Sequence, residues 1–148
     1  MSQEPLTEAI QHYLREIYKL GQEAEAPVSV TALARAQGVS AASASAMVKK
    51  LAALKLAEHK PYRGVSLTPA GERVALEVIR HHRLLELYLA ETLGVDVEDV
   101  HDEADRLEHA ISEELEARID KALGFPTHDP HGDPIPDANL RWPHAASS

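Results

Sequence analysis

Apolar positions recur with two different periods along this chain. Between residues 7 and 21, Ile10, Tyr13, Leu14, Ile17 and Leu20 fall three or four apart, the spacing that gathers them on one face of a helix. Gly21 suits the C-terminal end of that helix. Residues 22–27 read as a loop. A short helix over 31–37 leads through Gly38-Val39-Ser40 into a helix over 41–54, which Ser40 can cap. Ala34, the glycine of the turn, Val39 and Val48 fit a helix-turn-helix, whose two helices cross closely. The period then drops to two. Val65 and Leu67 alternate with Ser66, and Pro61-Tyr62-Arg63-Gly64 supplies a turn, so 57–68 reads as a hairpin.

Thr68-Pro69 pairs an N-cap with proline at the first helical position. It opens a long helix to about residue 92, ended by Gly94. Asp96 is expected to cap a helix running to about residue 110, and Ser112 to start a last helix stopped by Gly124. From Phe125 onward the chain is rich in Pro, His and Asp, and is expected to be ordered only where it packs on the body. The pattern predicts a mainly α protein. Residues 1–72 form a winged helix-turn-helix with a two-stranded wing, and residues 73–148 a helical domain with a Pro/His-rich tail. In a winged helix the second helix of the motif enters the major groove and the wing lies along the phosphate backbone.

Composition sharpens this outline. The core must come from Leu, Ala, Val and Ile, because 44% of the 148 residues are apolar but only 4% aromatic. With no cysteine, disulfides and thiolate metal sites are excluded. No apolar run approaches the length of a membrane span and no signal-peptide pattern opens the chain, so a soluble cytoplasmic protein is expected. The net charge of −9 speaks against a polyanionic partner until its distribution is considered. Residues 27–73 hold seven Lys/Arg against two Asp/Glu, whereas residues 81–148 hold five against sixteen. A basic region suited to nucleic acid thus precedes an acidic one suited to cations. Ser40, Ser43, Ser45, Lys49 and Lys50 lie on or near one face of the second helix, and Arg63 is at the wing tip. The serines suit phosphate or base-edge hydrogen bonds, the lysines phosphates.

The acidic half carries a pattern of its own. His101, Asp105, Glu108 and His109 are spaced to share a helix face, and His82 and Glu86 repeat the four-residue spacing on the preceding helix. Two such faces opposed could hold a divalent first-row metal. The plainer alternative is a solvated acidic face with His109 as a capping or core histidine and His82 exposed beside His81. His128, His131 and His144 have no helical partner spacing and count as tail residues.

With these residues in place, the chain resembles the diphtheria toxin repressor family, most of all its manganese transport regulator branch. The resemblance covers about residues 8–136. It rests on Tyr13-Leu-Arg-Glu-Ile-Tyr-Lys-Leu20, Met47-Val-Lys-Lys-Leu51, Tyr62-Arg-Gly-Val-Ser-Leu-Thr68, His82-Arg-Leu-Leu-Glu86, Val100-His-Asp-Glu through Glu108-His109, and His131-Gly-Asp-Pro-Ile-Pro136. It implies a homodimeric, metal-activated repressor that binds a double-stranded operator, its second part being a dimerisation domain, with metal-uptake genes as targets. At the primary site it implies His12, where the family has methionine or aspartate, with Asp105, where it has cysteine or glutamate, Glu108 and His109. At a neighbouring site it implies His82, Glu86 and His101. The SH3-like third domain of longer members is not expected here. Arg15 stands where the manganese branch carries a glutamate ligand, and a guanidinium cannot ligate. Glu16 is one position off, about 100 degrees around the helix.

Imidazole and carboxylate donors without sulfur suit Mn(II) foremost and Fe(II) as well, and would accept Co(II), Ni(II), Zn(II) or Cd(II). No organic cofactor, membrane partner or enzymatic activity is expected: there is no His-Glu-x-x-His, nucleophile elbow or phosphate loop. The alternatives are a winged-helix regulator not governed by metal, and a metal-binding enzyme or storage protein.

Overall fold

The structure, a computed structural model, describes residues 6–143, so His144 lies outside the described residues. Its elements are α1 (Glu8–Ala24), α2 (Val30–Gln37), α3 (Ala41–Ala53), β1 (Ala57–Lys60), β2 (Gly64–Leu67), α4 (Pro69–Glu91), α5 (Val100–Leu107) and α6 (Glu113–Ala122). Two compact units result, one ending at Ala75 and the other beginning at Leu76. The mainly α class and the order helix, helix-turn-helix, hairpin, helices agree with the hydrophobic pattern.

In the first unit each early helix is opened by a hydroxyl. Thr7 accepts from the Ile10 N–H at 3.2 Å, Ser29 from Ala32 at 3.0 Å and Ser40 from Ser43 at 3.1 Å, each cap contributing about 1 kcal/mol. Gly38 ends α2 in the left-handed region at φ +66°. Leu14 and Ile17 of α1, Leu33 of α2, Ala44, Val48 and Leu51 of α3, and Val65 of β2 are all buried. The hairpin pairs Ala57 with Leu67 and Lys60 with Gly64. Val28 pairs with the other edge of Val65 through two hydrogen bonds of 2.8 Å, an addition the loop expected at 22–27 did not foresee. Two glycines are sterically required. A Cβ on Gly64 would sit 2.5 Å from the Val28 carbonyl oxygen, and one on Gly71 would sit 1.9 Å from that of Leu56. Thr68 locks this corner by donating to the Lys55 carbonyl at 2.8 Å while accepting from the Gly71 N–H at 3.1 Å.

The expected end of α1 is corrected. The helix runs through Gly21 to Ala24, and Glu25 closes it at φ +51°. A glycine within a helix costs only about 1 kcal/mol against alanine, and Gln22, Glu23 and Ala24 are good helix formers.

In the second unit Leu85, Leu89, Val100, Ala104 and Ile119 form the core, with Tyr88, Val95, Ile111 and Leu123 packed against it. Gly94, at φ +68°, ends the long helix as expected. The next helix does not begin at Asp96. Its carbonyl accepts from Asp99 and Val100 in a turn, α5 starts at Val100, and the Asp99 N-cap makes no side-chain cap bond. Nor does α5 reach residue 110. Glu108 is its C-cap and His109 lies in the turn beyond, so the stripe of four donors is two on the helix and two past its end.

Between Phe125 and Pro143 the tail is held by packing and hydrogen bonds. Ile135 and Pro136 are buried. Arg83 donates to the Pro134 carbonyl at 2.6 Å and Arg80 to that of Pro136 at 3.0 Å. Arg80 also pairs with Glu116 at 2.6 Å and Asp120 at 3.0 Å, so its buried charge is matched.

Candidate metal centre

His82 is buried on α4, and both of its ring nitrogens are engaged. Nδ1 lies 2.7 Å from Oε2 of Glu108 and 3.3 Å from Oδ1 of Asp105. Nε2 lies 3.1 Å from Nδ1 of His101 and 3.5 Å from Oε2 of Glu86. The four-residue helical spacing places Glu86 beside His82 and Asp105 beside His101, whose Nε2 is 3.5 Å from Oδ2 of Asp105. His109 Nε2 is 3.2 Å from Oε1 of Glu108.

The expected neighbouring set of His82, Glu86 and His101 is brought together, and it adjoins Asp105 and Glu108 through His82. His82, Glu86 and His101 each offer a donor atom within 4.8 Å of the others, and so do His82, Asp105 and Glu108. His82 belongs to both because its two nitrogens face opposite ways. Sequence spacing alone cannot show which ring nitrogen points where.

A third group was not expected. Glu86, Asp129 and His131 also converge within 4.8 Å, with Glu86 Oε2 3.7 Å from Nδ1 of His131. His131 is thus no isolated tail residue. Asp129 Oδ1 accepts from the backbone N–H groups of His131 and Asp133, both at 2.9 Å, and this turn brings the imidazole round to α4. The legible signal was an acid two residues before a histidine in Asp129-Pro-His-Gly-Asp133, a short side-chain-to-backbone turn of the kind Asp forms.

The electrostatics are those of a donor set crowded together. Burial by itself would lower the His82 pKa, but the carboxylates of Glu108 and Glu86 outweigh it and raise it to about 9. Burial would raise the Glu86 carboxyl, yet His82 draws it below the ordinary value. Asp129 is pushed up by burial and by the neighbouring Glu86. Oδ1 of Asp105 is buried without a hydrogen-bond partner among the described residues. A divalent cation fits this set: the donors are oxygen and nitrogen, in clusters of three, with an acceptor left over.

The remaining predicted residues lie in the first unit. His12 is half-buried on α1, as are Arg15 and Glu16. Ser40 and Ser43 are exposed at the start of α3, but the Ser40 hydroxyl is spent on the cap and on the Ser43 hydroxyl at 3.0 Å. Ser45 is half-buried, while Lys49, Lys50 and Arg63 are exposed. A cavity of about 420 Å³ beside α1 and β2 is lined by Ile17, Tyr18, Pro27 and Leu67, among others; none of the predicted site residues borders it.

Comparison with known proteins divides the chain in a similar way. Residues 5–65 match the family model described as the iron dependent repressor, N-terminal DNA binding domain. Residues 68–137 match that of the iron dependent repressor, metal binding and dimerisation domain. The diphtheria toxin repressor of Corynebacterium efficiens is 37% identical over 131 residues, covering 88% of this chain and 56% of the relative. An HTH-type transcriptional regulator of Methanocaldococcus jannaschii is 32% identical over 114 residues, covering 77% of this chain and 91% of that one. Among solved structures, a manganese-dependent transcriptional repressor in complex with manganese superposes with a TM-score of 0.83 at 47% identity, covering 93% of this chain and 63% of that one. The chain thus spans somewhat more than half the length of the diphtheria toxin repressors it matches.

Proposed function

Because the chain belongs to the iron-dependent repressor family, we propose that it is a metal-dependent, DNA-binding transcriptional regulator acting as a homodimer, a repressor of metal-uptake genes. The observation that carries the proposal is the convergence of Glu86, His101, Asp105 and Glu108 on the buried His82. Glu86, Asp129 and His131 are proposed as a neighbouring group of ligands sharing Glu86. His109 is proposed as a further ligand beside Glu108.

His82, Asp105 and Glu108, with Glu86 and His101 beside them, would hold a divalent cation, which would supply the positive charge that offsets these carboxylates, and His82 would serve as the deprotonated imidazole that ligation requires. His12 is proposed, on the resemblance, as the donor from the first unit. Ligation through it would favour one arrangement of the DNA-binding parts, and a few kcal/mol of differential affinity is enough to make that arrangement dominant. The dimer then presents its recognition helices at the spacing of two half-sites. Ser43, Ser45, Lys49, Lys50 and Arg63 are proposed to contact the duplex, with Ser40 fixing the start of the helix.

Mn(II) is the proposed metal. The donors are carboxylates and imidazoles, with a carboxylate where a thiolate would favour softer ions, and the neighbour in complex with manganese is 47% identical in sequence. Fe(II) is the second choice, in keeping with the name of the family.

The test is calorimetry with Mn(II) together with footprinting on a duplex enriched from a random library by the Mn(II)-loaded protein. Wild type should bind Mn(II) at micromolar concentration and protect the duplex only when loaded. His12→Ala should unfold at the wild-type temperature yet lose most of the metal-dependent protection. Unchanged activation in that variant removes His12 from the mechanism. Protection of DNA by a wild-type chain that takes up no Mn(II) would favour a winged-helix regulator not governed by metal.

A further inference from the structure

We propose that Tyr62, at the tip of the wing, is a DNA contact that packs on the deoxyribose edge of the groove flanking α3, between Lys60 and Arg63. This rests on the DNA-binding function proposed above and adds to it a residue that neither charge nor helical spacing selects.

The argument begins with the turn. The Arg63 N–H donates to the Lys60 carbonyl at 3.0 Å, so Lys60-Pro61-Tyr62-Arg63 is a four-residue β-turn. Pro61 presets its second position, and Tyr62 occupies the third at φ +67°. That is the pattern of a type II turn, whose third position belongs to Gly or Asn because a Cβ is disfavoured at positive φ. The turn itself is imposed from outside, since Gly64 is held against the Val28 carbonyl and β2 is paired on both edges. The choice of residue at 62 is not imposed. Stability alone favours glycine there.

No packing among the described residues repays the strain. Tyr62 is 109% exposed, so its ring finds no cover among the described residues. Phe125, the other aromatic residue at positive φ, is 65% exposed, so part of its ring is covered. A large ring held outward in a disfavoured backbone is a local conflict of the kind that marks a functional position.

The surroundings identify the occupant. His59, Lys60 and Arg63, which flank Tyr62 in the hairpin, are exposed, and Lys49 and Lys50 are exposed on α3 of the same unit. This is a basic surface suited to a polyanion. A phenol offers an apolar face for a sugar and a hydroxyl for a phosphate oxygen. Proteins that engage the minor groove combine cationic side chains with apolar ones laid against or between the nucleotides. Lys60-Pro61-Tyr62-Arg63 contains both kinds.

The experiment compares Tyr62→Gly, Tyr62→Phe and Lys49→Ala in the full chain, using the duplex enriched by the Mn(II)-loaded wild type. Tyr62→Gly should raise the Tm of the metal-free protein, because strain is relieved. It should also weaken binding about tenfold or more, the range of aromatic contacts to nucleic acid, and lose hydroxyl-radical protection at the deoxyriboses beside the α3 contact. Its salt dependence should keep the wild-type slope, since no charge is lost, whereas Lys49→Ala should reduce that slope by about 1. Tyr62→Phe should retain most of the affinity. A Tyr62→Gly chain that binds as tightly as wild type with an unchanged footprint overturns the proposal, as does one that weakens only in step with a falling Tm. If the wild type enriches no duplex, the DNA-binding function falls too, and because it is then the wild type that fails, the two failures are distinguishable.

Discussion

The two units spend their interiors differently. In the first, the residues buried beneath the helices and the wing are apolar or tyrosine. In the second, Arg80, His82, Glu86, Glu108, Glu116, Asp120 and Asp129 are buried as well, and among the described residues every buried charged or imidazole side chain lies there. Burying such groups costs several kcal/mol each unless they are paired. Arg80, Glu116 and Asp120 are paired and hold the tail. In the group around His82, Oδ1 of Asp105, like Oε1 of Glu116 beside Arg80, makes no hydrogen bond among the described residues, and its nearest partner is the His82 imidazole at 3.3 Å. One unit is organised for shape, and the other gathers buried charges about His82, where the cation site is proposed.

The largest effect that sharpens this contrast is expected from Gly71→Ala. A methyl group would meet the Leu56 backbone at 1.9 Å, so the hairpin and the first turn of α4 must separate. Circular dichroism and thermal melts should show the first unit losing its cooperative transition. A wild-type melt would mean that this corner yields more easily than its geometry implies.

A second substitution targets the other unit. His82→Ala removes the side chain shared by two donor groups and should weaken Mn(II) binding about 100-fold or more, a scale above that of outer-shell changes. Calorimetry reads this directly. A loss no larger than that of His101→Ala would show that His82 is one ligand among equals.

The smallest effect is a pH dependence. The folded His82 pKa, about 9, lies above its ordinary value near 6.5. Its stabilising contribution in the metal-free protein is therefore complete below about pH 6.5 and lost as pH rises through about 9. The Tm of the metal-free chain should fall across that window, while the increment given by Mn(II) should grow, because ligands must be deprotonated. Parallel melts with and without metal between pH 6.5 and 8.5 check both signs. A metal increment that shrinks with pH would contradict the assignment of His82.

What the sequence made legible follows the same division. Caps, turns and periodicity act locally, so Ser40, Thr68, Gly94, Ser112 and the alternation about Val65 marked their elements correctly. The donors on α4 and α5 were visible because helical spacing is also local. His131 was not, since long-range contacts bring that stretch to Glu86, among them Arg80 and Arg83 on the carbonyls of Pro136 and Pro134. The join at His82 was hidden for a similar reason: the direction of an imidazole is decided by packing. Asp96 misled because an acid before a helix looks like a cap even where its carbonyl, not its side chain, makes the turn.

The pairing of Val28 with Val65 has a consequence for how this protein keeps to itself. A projecting hairpin is an invitation to edge-to-edge association, because unpaired backbone groups template further strands. Here β2 is engaged on both sides at Val65, so β1 is the free rim of the hairpin. That rim displays Glu58, His59 and Lys60 to solvent and runs directly into Pro61. Charge and proline are the devices that discourage a foreign strand from docking. The outer edge of the wing can therefore face solvent without becoming a seed for aggregation.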